Sequence, residues 1–367
     1  MKVECLKENL VDSIYIVERA VGKNLNLPVL GCILIEAKGS SLKLKATNLD
    51  LGVEVNIPAK IIEDGIMAVS GSVFYNVINS IYNGVSIKLL SKNDNLSIIT
   101  HTSSTLIKSL PHEDFPLLPK VKSNNSFTID IKDFLSGLNS VWFSSSHLSI
   151  KPELASVYIS IQNKKITFTA TDSFRLSEKV IINKNVPNFN PLIIPIKNIP
   201  EIIKALEHSN IGEVIVTFTK NQISFSSDNI YITSRLIDGI YPDYHQIIPK
   251  KVTTKIITLK QDLINSLKKI NIFSDKFNQV CFHISSKQRK CTLTSSNQDV
   301  GETTEQLQAA VEGEDLDINF NHRYITDALQ IIPSDSVSLS FSGLGKPMVM
   351  EGVSDPSYLY LVMPMNK

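Results

Sequence analysis

At 367 residues, 43% hydrophobic and 20% charged, the chain is long enough for two or three domains of about 100 to 200 residues each. No apolar run reaches the ~18 residues of a membrane span, and the opening MKVECLKENLVDS carries glutamates where a signal peptide needs an apolar core, so a cytoplasmic protein without membrane partners is expected. A net charge of +1 gives no compositional sign of a nucleic-acid binder.

The first predicted element is a helix in LKENLVDSI, from Leu6, with Lys7 and Arg19 on its polar face. LPVLG follows at Leu27, then a strand, a small polar turn and a strand in LKLKATNLDLGVEV, from Leu42. A second helix is predicted over Val73 to Ile81, with Phe74, Val77 and Ile78 inward; SIKLLSKNDNLSIIT then reads as a hairpin turned at KNDN. A polar linker, LPKVKSNNS, runs from Leu118 to Ser126. The succession then starts again: a helix in IKDFLSGLN at Ile131, and a strand, turn and strand in ITFTATDSFRLSEKV from Ile166. Its second helix starts with Pro200 at the first helical position after Asn198, turning Ile202, Ile203 and Leu206 inward and Lys204 outward. A hairpin turned at KNQ and a linker, IPKKVTTK, Ile248 to Lys255, close it. The third pass has LKQDLINSL at Leu259, whose apolar face (Leu259, Leu263, Leu267, Ile270) opposes Lys260, Lys268 and Lys269, then CTLTSSNQDVGETT from Cys291, then a helix over Phe320 to Ile332 with Tyr324, Ala328 and Leu329 inward.

Aligned on Ala46, Ala170 and Ser295, the three strand-turn-strand segments recur about every 125 residues. The same offset separates DFPLLP at Asp114 from IYPDYHQIIP at Ile240. The chain is therefore an α+β protein of three repeated modules, each two helices on antiparallel sheets, at residues 1–122, 123–250 and 251–367. Charge balances within each module, yet the predicted helices share basic polar faces, Lys197, Lys204 and Arg323 among them. Cys5, Cys32, Cys281 and Cys291 lack zinc-site spacing and read as small buried hydrophobes. The seven histidines form no HExxH, and there is neither a P-loop nor a GxSxG elbow. No catalytic residue, metal or cofactor is expected.

TATDSFRLSEK at Thr169, YPDYHQIIPK at Tyr241 and the terminal YLYLVMPMNK together resemble the bacterial DNA polymerase III beta subunit family, the replication sliding clamps. The resemblance spans the chain. It implies a closed ring made by a head-to-tail homodimer, helices lining the hole, which encircles double-stranded DNA without reading its sequence and gives the polymerase processivity. It also implies a clamp loader, the polymerase III catalytic subunit, and other polymerases and repair proteins that dock short peptides as partners. Their cleft would be lined by Leu154, Thr171, Phe174, Arg175, Leu176 and Pro242, with Ile247, Pro347, Val362, Met363, Pro364 and Met365. Lys23, Lys197 and Lys204 would face DNA, with Asn24 where a basic residue is usual; Leu106, Ile107, Ile272 and Phe273 would meet at the dimer interface. Ser173 and Phe174 stand where the family favours glycine and histidine or tyrosine, and Gln246 where it favours arginine. The alternative is a non-replicative scaffold built on the same module.

Overall fold

The computed structural model describes residues 1–22, 26–148, 150–209 and 211–365. One succession of elements runs through it three times, one strand shorter in its second pass. First come β1 (Lys2–Leu6), α1 (Lys7–Glu18), β2 (Cys32–Lys38), β3 (Ser41–Thr47), β4 (Leu51–Pro58), β5 (Lys60–Glu63), β6 (Gly65–Ser70), α2 (Gly71–Asn79), β7 (Ser86–Lys92), β8 (Asn95–Ile99) and β9 (Ser104–Leu110). The second pass is β10 (Ser126–Asp130), α3 (Ile131–Asn139), β11 (Ser156–Gln162), β12 (Lys165–Thr171), β13 (Arg175–Ile182), β14 (Phe189–Pro195), α4 (Ile199–Glu207), β15 (Glu213–Phe218), β16 (Gln222–Ser226) and β17 (Ile230–Arg235). The third is β18 (Thr254–Leu259), α5 (Lys260–Ile272), β19 (Gln279–Ser285), β20 (Lys290–Asn297), β21 (Gly301–Leu307), β22 (Ala309–Gly313), β23 (Leu316–Asn321), α6 (His322–Ile331), β24 (Ser336–Phe341), β25 (Met348–Gly352) and β26 (Asp355–Val362).

Contacts gather these elements into two compact units, and the middle repeat contributes to both. In the first unit β10, β15, β16 and β17 continue through β4 into the strands of the first repeat, one antiparallel sheet of 13 strands. Leu10, Ile14 and Val17 of α1 and Phe74 and Ile78 of α2 are buried in its core. Tyr231 of β17 fastens the polar linker, its hydroxyl donating to the Pro119 carbonyl at 3.0 Å and accepting the Val121 N–H at 2.8 Å. The second unit has a nine-stranded sheet, in which β13 pairs with β26, and a four-stranded sheet, β21-β20-β19-β23. Its core packs Leu263, Leu267 and Ile270 of α5 and Ala328 and Leu329 of α6 around Phe282, Phe320 and Phe341.

Several expectations change at the element boundaries. Leu6 and Leu259 end strands and are exposed, so neither belongs to a buried helix face. Lys7, expected on the polar face of α1, is buried: its ammonium donates to Asn83 Oδ1 at 2.7 Å and its backbone N–H to the Val85 carbonyl. Lys260 does the same for α5, donating to the Ile332 carbonyl from Nζ and to the Asp335 carbonyl from its N–H, and Ile131 N–H reaches Gly212. The equivalent residues are thus Lys7, Ile131 and Lys260, one position away from the alignment on Leu6, Ile131 and Leu259. Each helix start is tied to the residue before the following hairpin, which satisfies an otherwise orphaned donor. Pro200 is the second residue of α4, Val73 is exposed on α2, and Phe320 belongs to β23. Cys5, Cys32 and Cys291 are buried, but Cys281 is half-exposed, its sulfur 4.0 Å from His283 Nδ1.

Candidate functional site

The turn between β12 and β13 is held by its own side chains. Thr171 Oγ1 donates to the Arg175 carbonyl at 2.6 Å and accepts the Ser173 N–H at 3.1 Å, while Asp172 Oδ1 accepts the N–H groups of Phe174 and Arg175 at 2.9 and 3.0 Å. Such a turn needs left-handed backbone at its tip, and Ser173 has φ +77°. The first repeat builds the same turn from Thr47, Asn48 and Leu49, the last also at φ +77°. The threonine and the Asx residue therefore belong to the shared architecture. What distinguishes the second repeat is the arginine that follows.

Arg175 donates to Asp172 Oδ2 at 3.0 Å, Asp327 Oδ2 at 2.6 Å and the Phe143 carbonyl at 2.8 Å. Its guanidinium lies 4.6 Å from the Tyr324 ring centroid and 5.6 Å from that of Phe143. Burial alone would lower its pKa, but Tyr360, Asp172 and Asp327 outweigh that and hold it above its ordinary value. Arg175, expected to line the cleft, is turned inward, its side chain only 10% exposed and Nε, Nη1 and Nη2 each donating within the protein. Leu176 and Val362, also expected to line the cleft, are fully buried, Leu176 paired with Thr171 and Leu361, Val362 with Arg175 and Met348.

Beyond Val362 the chain stays on the turn. Met363 N–H donates to the Phe174 carbonyl and Met365 N–H to the Asn319 carbonyl, both at 2.8 Å, leaving Met363, Pro364 and Met365 half-buried beside the exposed Phe174 ring. Pro347, half-buried, immediately precedes the Met348 that pairs with Val362. Leu154, Pro242 and Ile247 are placed by other contacts. The Leu154 carbonyl accepts the Ser146 N–H. Tyr241 stacks on Tyr158 with centroids 4.6 Å apart, and Tyr244 donates to Glu178 Oε2 at 2.6 Å. Burial, reinforced by Glu178, holds the Tyr244 phenol above its ordinary pKa. These two buried tyrosines anchor the segment and leave Pro242 exposed between them, with Ile247 exposed beyond. The sequence reading missed Phe143 and Asp327, and took Tyr324 for core; only the fold brings them to Arg175.

The predicted DNA-facing bases lie among acids. Lys197 Nζ is 2.5 Å from Asp50 Oδ2, and Lys204 Nζ is 3.9 Å from Glu201, a carboxylate that Arg19 also approaches at 3.9 Å. Lys23 and Asn24 lie outside the described residues. Among the predicted interface residues, Leu106 is 56% and Ile272 63% exposed, whereas Ile107 is 5% exposed and belongs to its own core. Phe273 is half-buried, its carbonyl accepting the Ser295 hydroxyl at 3.1 Å.

Three family models match the chain in order: the N-terminal domain of the DNA polymerase III beta subunit at residues 1–119, its central domain at 128–243 and its C-terminal domain at 245–366. The chain belongs to the DNA polymerase III beta subunit family. Within the beta subunit matches, the Thr171–Leu176 turn falls in the central domain and the tail that docks on it in the C-terminal domain. The beta sliding clamp of Staphylococcus epidermidis is 27% identical over 358 residues, 95% of this chain and 94% of that protein, and that of Synechocystis is 27% identical over 100% of this chain and 99% of that protein. The solved beta subunit of Thermotoga maritima superposes with a TM-score of 0.95 at 25% identity, covering 100% and 99% of the two chains. A sliding clamp of Bartonella birtlesii, solved bound to griselimycin, gives 0.94 at 26%, covering both chains fully.

Proposed function

We infer that the protein is a sliding clamp, a non-catalytic processivity factor that closes around duplex DNA as a ring of two copies joined head to tail. One observation carries this reading. Inside each unit, the fourth strand of one repeat pairs antiparallel with the last strand of the next: β4 with β17, and β13 with β26. The same rule leaves β21 and β9 over. β21 is an edge of its four-stranded sheet, and Ser104–Lys108 of β9 pairs with β8 on one side while only Ser109 and Leu110 reach β6 on the other. Open edges of this kind invite pairing. A second copy supplies the complementary strand, and two such junctions close the ring. Exposed Leu106 and Ile272 add apolar surface to each junction, with Ile107 and Phe273 behind them.

The repeats then meet near residues 122 and 250, the helices face the hole, and Lys197 and Lys204 touch phosphates weakly because Asp50 and Glu201 already offset them. Weak, sequence-independent contacts suit a ring that holds DNA by topology. Loading falls to a separate clamp loader in the cytoplasm. The catalytic subunit of the polymerase, like other DNA-acting proteins, docks a short peptide against Phe174, Pro242 and Met363, whose apolar surfaces accept varied side chains. Retention on DNA tests the whole reading: loaded protein stays on a closed circle in salt that strips it from linear duplex, and is lost when the circle is cut. Equal loss from circles and linear molecules would refute it.

A further inference from the structure

The peptide cleft proposed above rests on a turn that needs an external support, and the contacts of Arg175 identify it. Asp172 belongs to the same turn, so its ion pair with Arg175 stiffens the turn without fixing it to anything else. Beyond the backbone bonds to β26 and the tail, two hydrogen bonds of the Arg175 side chain leave the turn: one to the Phe143 carbonyl, the other to the Asp327 carboxylate of α6, at 2.6 Å. Asp327 supplies the side-chain tether. Where Arg175 stands decides where Phe174 stands, and the Phe174 carbonyl in turn holds the N–H of Met363. We propose that Asp327 is a positioning residue of the peptide cleft: without touching the peptide, it fixes through Arg175 the turn and tail that bind a partner's apolar segment. The inference rests on the cleft reading.

Asp327 is 45% exposed on its helix, and Arg175 stays paired to Asp172 when it is removed, so Asp327→Asn is expected to fold and to keep the native mass of wild type. The probe is a labelled synthetic peptide of glutamine and bulky apolar residues, titrated into the full-length protein. Asp327→Asn is expected to weaken its binding about fivefold, within the range of coupling through a shared contact, and Asp327→Glu to restore it to within about twofold. Trp142, the single tryptophan of the chain, precedes the Phe143 whose carbonyl accepts from Arg175; if Asp327 sets the arginine's position, its emission is expected to shift in Asp327→Asn and return in Asp327→Glu. A purely structural aspartate would leave both signals unmoved. The inference is overturned by Asp327→Asn binding within twofold of wild type, or by Asp327→Glu binding as weakly as Asp327→Asn. Wild type that binds no peptide overturns the cleft reading as well, and is distinguishable because the variants are then not needed to see it.

Discussion

Ser173 and Leu49 occupy the left-handed backbone region, where a side chain costs roughly 1 to 2 kcal/mol. Glycine, the residue that the resemblance leads one to expect at the first of these positions, avoids that cost. Ser173→Gly keeps the backbone hydrogen bonds of the turn and removes the clash, and we expect it to stabilise the protein by about 0.5 to 1 kcal/mol in chemical denaturation, net of the unfolded-state entropy of glycine. A neutral or negative change would mean that the serine compensates in some other way. His322, the first residue of α6, is buried with Nε2 lacking a hydrogen-bond partner, and burial, helped by Arg323, lowers its pKa. The unfolded chain takes up this proton near pH 6.5 while the folded chain resists it. Stability is therefore complete above about pH 6.5 and declines as pH falls toward the folded pKa. Melting temperature measured from pH 7 down to 5 should fall less steeply in His322→Gln than in wild type, and parallel curves would show that other groups dominate.

At the scale of elements, most of the fold was legible because the repeat displayed the same pattern three times. A Thr-Asx turn between alternating strands is a local device, and the sequence contains all of its donors and acceptors. What stayed hidden was set by distant partners. Leu6 and Leu259 fit a helical period, yet each ends a strand because the next N–H is taken by a carbonyl before a hairpin far along the chain. Arg175 had the composition of a surface contact; Asp327, 152 residues away, turns it inward. Leu106 and Ile107 were separable only once the pleat of β9 assigned alternate faces. The tail was the converse case, since its motif was visible but its docking on Phe174 was not. Deleting the chain from Met363 onward removes two backbone hydrogen bonds and half-buried methionines while leaving β26 intact. We expect calorimetry to show peptide binding weakened at least tenfold, given about 1.5 to 3 kcal/mol per buried methionine, with the dimer unaltered. Undiminished affinity would make the tail purely structural.

For the whole molecule, the rule that joins the repeats also fixes the register of the missing junction. Ala46, Ala170 and Ser295, the residues that aligned the repeats, pair across their hairpins with Val53, Ser177 and Thr303. Val53 pairs onward with Ile232, and Ser177 with Tyr360. On the receiving side, Ile232 and Tyr360 are the hairpin partners of Phe225 and Met350, each the third of three successive buried residues in its strand. Ile98 is the corresponding residue of β8, and its partner is Thr105. Thr303 of one protomer should therefore lie opposite Thr105 of the other, where directly opposed Cβ atoms are about 4.5 to 5.5 Å apart. Thr105→Cys with Thr303→Cys in one chain should oxidise to a covalent dimer on a non-reducing gel, and oxidation after loading should lock the ring on circular DNA. Cysteine pairs moved by one residue on either strand should link poorly, because the pleat sends them to opposite faces. As the complementary test, Leu106→Asp with Ile272→Asp places four carboxylates across the two junctions, and native mass should fall to that of one 40.8 kDa chain without loss of secondary structure. A dimer that survives both aspartates, or a cysteine pair that links no better than its shifted controls, would place the interface on other strands and remove the observation on which the ring is built.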